Sequence, residues 1–418
     1  MISEKWQFAI SPTPKLTLLP RYANVPKRVL KALHNRVNSL VVDPWAGRFN
    51  RILSHNLQPE FMAKAKDYSG MLEILSGQRR GVGAFLVRCG LSLLTPVYRV
   101  GIGYRNWRFN RGKGVFRASV PVISVGNLTT GGTGKTPFVI WLASFIRGIK
   151  VDSPYGRRVA IISRGYGSME GQLNDEALEM EQRLQTVPHL QGADRVQLAS
   201  TAVAELETEL ILLDDGFQHR KIHRDLDIVL VDATRPFGFE RLLPRGLLRE
   251  PIPNLARADV VVLTRCDQVT SQRRMEIKKR ILQWHPAVLW AEAEMRPTTF
   301  IQDSGRQLAL EELRGQSVIA ICAVGNPSGF HSTLTRLGLE ISESIVWSDH
   351  HHYSREDLET IQSVTAQHPA TAVVCTHKDL VKLNVDRIGS IPLYALQIDS
   401  VLQTGRQQLE QRIKQLAG

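Results

Sequence analysis

Pro121-Val-Ile-Ser-Val-Gly126-Asn-Leu-Thr-Thr-Gly131-Gly132-Thr133-Gly134-Lys135-Thr136-Pro137 joins an apolar run to a glycine-rich turn ending in Gly-Lys-Thr, and a helical pattern follows over 135–148. A strand feeding such a turn and a helix is a phosphate cradle. Loop amides and the helix N-terminus can surround a polyphosphate, Lys135 can reach its β- and γ-groups, and the Thr136 hydroxyl can hold Mg²⁺. The expected nucleotide-binding residues are Thr129, Thr130, Gly131, Gly132, Thr133, Gly134, Lys135 and Thr136. Thr129 stands where the common G-x-x-x-x-G-K-[ST] pattern has its first glycine, and Gly131 and Gly132 supply the backbone freedom instead.

Working outward, short apolar runs alternate with helical segments. Strands are expected at 121–125, 158–163, 209–213, 227–231 and 259–263, with helices at 135–148, near 175–185 and at 192–205. A second set has apolar runs at 317–323, 343–347, 371–375 and 392–397 between helices near 328–337, 354–366 and 404–416. The alternation predicts an α/β fold of P-loop NTPase type, a mainly parallel sheet covered on both faces, with a smaller C-terminal α/β unit. The expected divisions are an extension over 1–61, a basic helical region over 62–117, a P-loop core over 118–305 and the smaller unit over 306–418. The last boundary rests on Pro297 and Asp303-Ser304-Gly305, which break the periodicity.

Two carboxylates follow an apolar strand in Ile211-Leu-Leu-Asp214-Asp215-Gly216-Phe-Gln218-His219-Arg220, at the sheet edge where ligands bind, and suit Mg²⁺ coordination beside the loop threonine. Ser163-Arg164-Gly165-Tyr166-Gly167 is a second strand entering a glycine turn. Asn174-Asp175-Glu176 follows it, either as a helix N-cap with first-turn acids or as carboxylates placed to take an acceptor proton. The loop Arg235 to Pro251 carries Arg245 and Arg249, suited to gripping phosphate or to solvated surface positions. Asp349-His350-His351-His352 lacks metal spacing, and one histidine held by a carboxylate is its better use as a base or a base's partner.

Composition bounds the partners. The 418 residues, 43% hydrophobic and 22% charged, are those of a soluble globular protein, yet the net charge is +13. Residues 1–117 hold 20 Lys and Arg against 5 Asp and Glu, leaving 33 against 35 behind them. The basic field therefore belongs to an appendage, and nucleic acid is not an expected partner. Val82–Ile102 is apolar but interrupted by Arg88, Pro96 and Arg99, and Tyr104, Arg105, Trp107, Arg108, Arg111 and Lys113 follow. This stretch is expected to lie in the interface of an anionic membrane rather than to span it. Residues 1–61 lack periodicity and are expected to be disordered or to precede a later start at Met62 or Met71. No signal-peptide pattern opens the chain. Four scattered cysteines (Cys89, Cys266, Cys322, Cys375) read as buried thiols of a reducing compartment.

Taken together, Val-Gly-Asn-Leu-Thr-x-Gly-Gly-x-Gly-Lys-Thr-Pro, Ser-Arg-Gly-Tyr-Gly, Asp-Asp-Gly-Phe-Gln-His, Leu-Pro-x-Gly-x-Leu-Arg-Glu and Asp-His resemble, in order and over residues 71–400, the tetraacyldisaccharide 4′-kinases of lipid A biosynthesis. The resemblance implies an ATP-dependent kinase that phosphorylates the 4′-hydroxyl of an acylated disaccharide 1-phosphate lipid, working peripherally at the cytoplasmic face of the inner membrane. It implies ATP and Mg²⁺ at Lys135, Thr136, Asp214 and Asp215, with Glu250 also a metal-site residue. It further implies an Asp–His pair that activates the acceptor, mapping to Asp175 and His350, with His351 a rival. The family usually reads Gly-Asp-Glu where this chain has Asn174-Asp175-Glu176. No obligate protein partner is expected. The alternative is a P-loop GTPase or nucleotide-dependent switch, echoed by Thr264-Arg265-Cys266-Asp267 and Thr376-His377-Lys378-Asp379.

Overall fold

The computed structural model describes residues 65–149, 156–165, 174–349 and 351–417. The expectations for residues 1–61, for Tyr166 and Gly167, and for His350 lie outside the described residues. Helix α1 (Ala65–Ser76) leads into the 29-residue α2 (Val82–Asn110). The order thereafter is β1 (Val122–Asn127), α3 (Lys135–Arg147), β2 (Val159–Ser163), α4 (Asp175–Arg183), β3 (His189–Gln191), α5 (Arg195–Leu206), β4 (Leu210–Asp214), β5 (Leu226–Asp232), β6 (Val260–Thr264), α6 (Ser271–Leu282) and β7 (Leu289–Ile301). It continues with β8 (Gln307–Leu308), β9 (Ser317–Cys322), α7 (Pro327–Arg336), β10 (Glu340–Val346), α8 (Arg355–Gln367), β11 (Ala372–Thr376), α9 (His377–Leu383), β12 (Arg387–Ile388), β13 (Ile391–Thr404) and α10 (Arg406–Ala417).

The strands form one sheet in the order β10-β9-β11-β13-β7-β6-β5-β1-β4-β2-β3. Every residue of β1, β2, β4, β5 and β6 is buried, as strands covered on both faces must be. From β3 to β7 all pairings are parallel, and so are those joining β10, β9, β11 and β13. The two sets meet where β7 and β13 pair antiparallel, from Ala395 opposite Ile301 to Thr404 opposite Glu292. Each long strand is parallel to its own set and antiparallel to the other, so the sets run in opposite senses. Because β6 pairs with β7 at Leu289–Glu292 and β11 pairs with β13 at Leu393–Leu396, beside the far end of β7, the carboxyl edges of the two sets face one another.

Sequence periodicity missed β7 because Ala291-Glu-Ala-Glu294 alternates with poor strand formers and Pro297 interrupts it. The ladder shifts register at that proline, where Ile398 opposes Pro297, which is how a sheet accommodates the missing N–H. The expected division between 305 and 306 falls in the turn between β7 and β8, and the sheet continues through it. Phe138, Leu142 and Ile146 of α3 are fully buried against β1 and β4, each such side chain stabilising the fold by about 1.5–3 kcal/mol.

Helix α2 runs unbroken through Pro96 and is long and apolar enough to cross a bilayer, where the sequence had read as too interrupted to do so. The difference lies in how its residues divide between faces. Tyr98, Ile102, Arg105 and Asn106 share the face that docks on the body, and Arg88 donates to the carbonyls of Ile74 and Arg79. Leu86, Leu93, Val97, Val100, Tyr104 and Trp107 recur at helical spacing on the other side and are all exposed. Three of the four cysteines are buried as expected, but Cys89 on this helix is exposed.

Candidate active site

The glycine turn between β1 and α3 is held from three sides. From β1, Asn127 Nδ2 donates to the Thr129 carbonyl (2.8 Å) and to Thr133 Oγ1 (3.0 Å). From the arginine-rich loop, the Thr130 amide donates to the Leu247 carbonyl and the Arg249 amide to that of Leu128. From the end of β6, Thr264 Oγ1 donates to the Thr133 carbonyl (2.9 Å) and Arg265 Nη1 to that of Gly132 (2.8 Å), while Arg265 also pairs with Asp232. Gly134 must be glycine twice over. Its φ is +79°, and an added Cβ would lie 2.8 Å from Met295 Cε on β7. At Gly131, φ +102°, nothing lies within 4 Å of where a Cβ would stand.

Lys135 opens α3, and its Nζ lies 3.7 Å from Asp215 Oδ1. Thr136 follows, buried. At the end of β4, Arg195 donates to the Asp214 and Asp215 carbonyls (3.3 and 3.0 Å), and Gln218 Nε2 donates to the Asn127 carbonyl (2.9 Å), which ties the acidic turn to the phosphate loop. Burial raises the Asp214 carboxyl to about 7, the neighbouring Glu176 charge adding to it and Lys135 opposing it. Burial would raise Asp215 as well, but Lys135 and Arg249 outweigh it and hold that carboxyl below its usual range. Arg249 Nη1 reaches both Asp215 oxygens at 2.8 Å.

The structure therefore brings Lys135, Thr136, Asp214 and Asp215 together and assigns Arg249 to Asp215. Arg245 lies elsewhere, donating to the Leu75 carbonyl at the end of α1. Glu250, which the resemblance implies as a metal-site residue, has four side-chain partners of its own. Its carboxylate is fully buried and neutralised by Arg105 and Arg257 (2.9 Å each), with Asn254 (2.6 Å) and Asn106 (3.3 Å) completing its hydrogen bonds. It anchors α2 to the body. Among the described residues no group of three or more His, Cys, Asp or Glu is placed to hold a metal. The oxygen donors that fit Mg²⁺ are Thr136, Asp214 and Asp215, and a carboxylate raised by desolvation at Asp214 is one that a divalent cation would compensate.

Asn174 is the N-cap of α4, accepting from the Ala177 amide, and Asp175 is the first helical residue, 8% exposed. The reading of this segment as a helix N-cap with first-turn acids holds. Lys382 Nζ of α9 lies 3.3 Å from Asp175 Oδ2, and Lys378 Nζ donates to Glu176 Oε1 at 2.8 Å. Lys378 first, against burial, holds the Glu176 carboxyl below its usual range. The rival histidine is occupied: His351 Nε2 lies 2.9 Å from Asp357 Oδ2, and its ring stacks on Trp347. Asp357 also caps α8 through Ser354 and accepts from Trp347 Nε1.

Sequence reasoning passed over Arg195, Gln218, Lys378 and Lys382. Two segments it noted only as echoes of a guanine-reading motif were the available signal. Thr264-Arg265 clamps the phosphate loop, and Thr376-His377-Lys378-Asp379 begins the helix that meets Asp175.

The family model for tetraacyldisaccharide-1-P 4′-kinase matches residues 87–417. A tetraacyldisaccharide 4′-kinase of Halothermothrix orenii is 35% identical over 367 residues, covering 79% of this chain and 93% of the relative. One from Anaeromyxobacter dehalogenans strain 2CP-C is 34% identical over 362 residues, covering 82% and 94%. Among solved structures, LpxK from Aquifex aeolicus in complex with ATP aligns with a TM-score of 0.63 at 28% identity, over 79% of this chain and all of that one. With the matched region spanning both strand sets and the phosphate loop between them, the chain belongs to the tetraacyldisaccharide-1-P 4′-kinase family.

Proposed function

We propose that this protein transfers the γ-phosphoryl group of ATP to the 4′-hydroxyl of a tetraacyldisaccharide 1-phosphate in lipid A biosynthesis. The observation that carries the reading is the clamped glycine loop with Lys135 and Asp215 at its mouth, in a chain of this family. The loop amides of residues 130–136 and the Lys135 ammonium bind the triphosphate. Thr136, Asp214 and Asp215 are the donors for Mg²⁺, which when bound neutralises charge on the phosphates. Arg249 and Lys135 hold the Asp215 carboxylate at the mouth of the loop.

Asp175 is the carboxylate that takes the acceptor proton, with His350 as its partner, and catalysis is chiefly positioning and charge stabilisation. Asp175 sits where the carboxyl edges of the two strand sets meet, paired with Lys382 of the C-terminal set. Docking of the smaller unit excludes water from that seam, which disfavours hydrolysis of ATP when no lipid is present.

The exposed stripe on α2, together with the basic front of the chain, supports a peripheral position of the site at the anionic cytoplasmic face of the inner membrane. Unlike a buried core helix, α2 has only Ala84 and Ile102 buried.

The test is transfer of ³²P from ATP to a tetraacylated disaccharide 1-phosphate in detergent micelles, with and without Mg²⁺. Labelled lipid from wild type that disappears on chelation is expected. Absence of any lipid product would remove the function, and transfer unaffected by chelation would remove the metal assignment. Sedimentation with phosphatidylglycerol vesicles, compared with Leu93→Glu/Val97→Glu/Val100→Glu, tests the membrane assignment. The triple variant is expected to stay in the supernatant while retaining its affinity for ATP.

A further inference from the structure

Thr376-His377-Lys378-Asp379 forms the start of α9, and α9 lies against α4 across the seam between the two strand sets. Three polar contacts join the helices: His377 Nε2 is 2.6 Å from Gln182 Oε1, Lys378 pairs with Glu176, and Lys382 pairs with Asp175. Residues 378 and 382 are one helical turn apart and so present their ammonium groups on one face, opposite the acidic first turn of α4. Lys382 makes one contact that Lys378 does not. Its Nζ also donates to the carbonyl of His351 (3.2 Å), in the segment that follows β10. An ammonium has three donors in a compact group, so one lysine can hold two acceptors from separate elements. Both side chains of the Lys382–Asp175 pair are nearly inaccessible, 9% and 6% exposed, which makes the contact far more rigid than a surface ion pair.

We propose that Lys382 is a positioning residue for phosphoryl transfer: its ammonium ties the Asp175 carboxylate on α4 to the main chain of the histidine segment, so that docking of the C-terminal strands sets the group that takes the acceptor proton. The proposal rests on the reading of Asp175 as that group. Displacing a catalytic carboxylate by about an ångström can cost on the order of 10²-fold in rate, so a single tether of this kind has a measurable effect on turnover. Lys378 supplies the internal control. It bridges the same two helices through Glu176, the residue next to Asp175, in a more exposed pair (27% and 32%).

The experiment compares the full-length variants Lys382→Met, Lys382→Arg, Lys378→Met, Asp175→Asn and the double variant Asp175→Asn/Lys382→Met in steady-state lipid phosphorylation. Lys382→Met is expected to lower kcat by about 10- to 100-fold while KM for ATP stays within about twofold, because the lysine acts through the acceptor side. Lys382→Arg restores most of the loss. Lys378→Met lowers kcat by no more than about threefold, and the double variant is no slower than Asp175→Asn alone. Equal losses in Lys382→Met and Lys378→Met, or losses that multiply in the double variant, would show a mere interface contact and overturn the proposal. Full turnover in Asp175→Asn would remove Asp175 itself, and the proposal with it, whatever Lys382→Met does. If Lys382→Met fails to fold, Lys382→Gln carries the same comparison.

Discussion

The two carboxyl edges of the sheet are built alike and furnished differently. Each follows a set of buried parallel strands, and each has a Thr-x-x-Asp turn at a strand end, Thr264–Asp267 after β6 and Thr376–Asp379 after β11. At the first edge the turn faces outward. Thr264 and Arg265 grip the carbonyls of a glycine loop, leaving that loop's amides for an anion. At the second edge the turn faces inward. Asp379 is fully buried, accepting from Thr376 Oγ1 (2.6 Å), Tyr353 Oη (3.0 Å) and the Ala323 amide (3.2 Å). The same local device secures a ligand site in one set and the set's own loops in the other. What the second edge contributes across the seam is charge, through Lys378 and Lys382 of the helix that its aspartate organises.

The sharpest way to break this comparison is to remove the ligand function of the first edge. Lys135→Ala takes away the ammonium proposed to bind the nucleotide phosphates and leaves Asp215 with Arg249. Turnover is expected to fall by about 10²–10³-fold, by analogy with the loss of a preorganised transition-state donor. Thermal stability should change little, because the Lys135–Asp215 contact is a 3.7 Å pair. Near-normal phosphorylation by Lys135→Ala would mean that the glycine loop is not the phosphate site.

At the second edge the opposite profile is expected. Asp379→Ala leaves an amide, a hydroxyl and a phenol without their acceptor, at a cost of about 2–3 kcal/mol. Urea denaturation should show the loss, and ATP affinity, measured below the new midpoint, should not change. An unfolding curve superimposable on wild type would contradict an inward, structural role for this turn.

A smaller effect tests the loop itself. In Gly134→Ala the new Cβ meets Met295 and the residue must keep φ near +79°, which costs about 1–2 kcal/mol for a non-glycine residue. ATP affinity should weaken along with stability. Met295→Ala in the same chain should recover only the steric part, because the backbone strain remains. Full recovery would show that the crowding, not the left-handed conformation, selects glycine here.

The division between what the residues announced and what they concealed follows the same line. The first edge was legible because its chemistry is local: the strand, glycine turn and Gly-Lys-Thr are contiguous, and Asp214-Asp215 directly ends an apolar strand of its own. Arg249 faces Asp215, while its neighbour Glu250 turns to Arg105 and Arg257, 145 positions before and 7 after it. No local pattern records that pairing. The second edge was legible as strands and helices but not as part of the site. Its lysines acquire a role only once β7 and β13 pair antiparallel and turn the two sets face to face, and β7 was itself obscured by its Ala-Glu alternation and Pro297. On α2 the interruptions by arginine and proline were visible in sequence, but their assignment to one docking face was not.

The seam between the edges also carries the smallest predicted signal, a dependence of stability on pH. The His377 imidazole, beside Gln182 of α4, is pushed down to about 4, by burial first and by Arg183 second. In the unfolded chain it returns to about 6.5. Between those values the unfolded state binds a proton that the folded state does not, so stability rises with pH across the window and falls as pH drops from about 6.5 to 4. Above 6.5 the group contributes no slope. His189 and His219, each also near 4 through burial, act in the same sense within the first strand set. His377→Gln should therefore flatten the acid side of a plot of urea midpoint against pH without removing it. The wild type and variant should lie closest near pH 4.5 and diverge toward pH 7, where the intact imidazole keeps its hydrogen bond to Gln182. Parallel curves over the whole range would mean that His377 takes up its proton in the folded state as readily as in the unfolded one. In that case the contact between the two edges would be open to water at this point, and a closed seam could not be the basis of the protection of ATP proposed above.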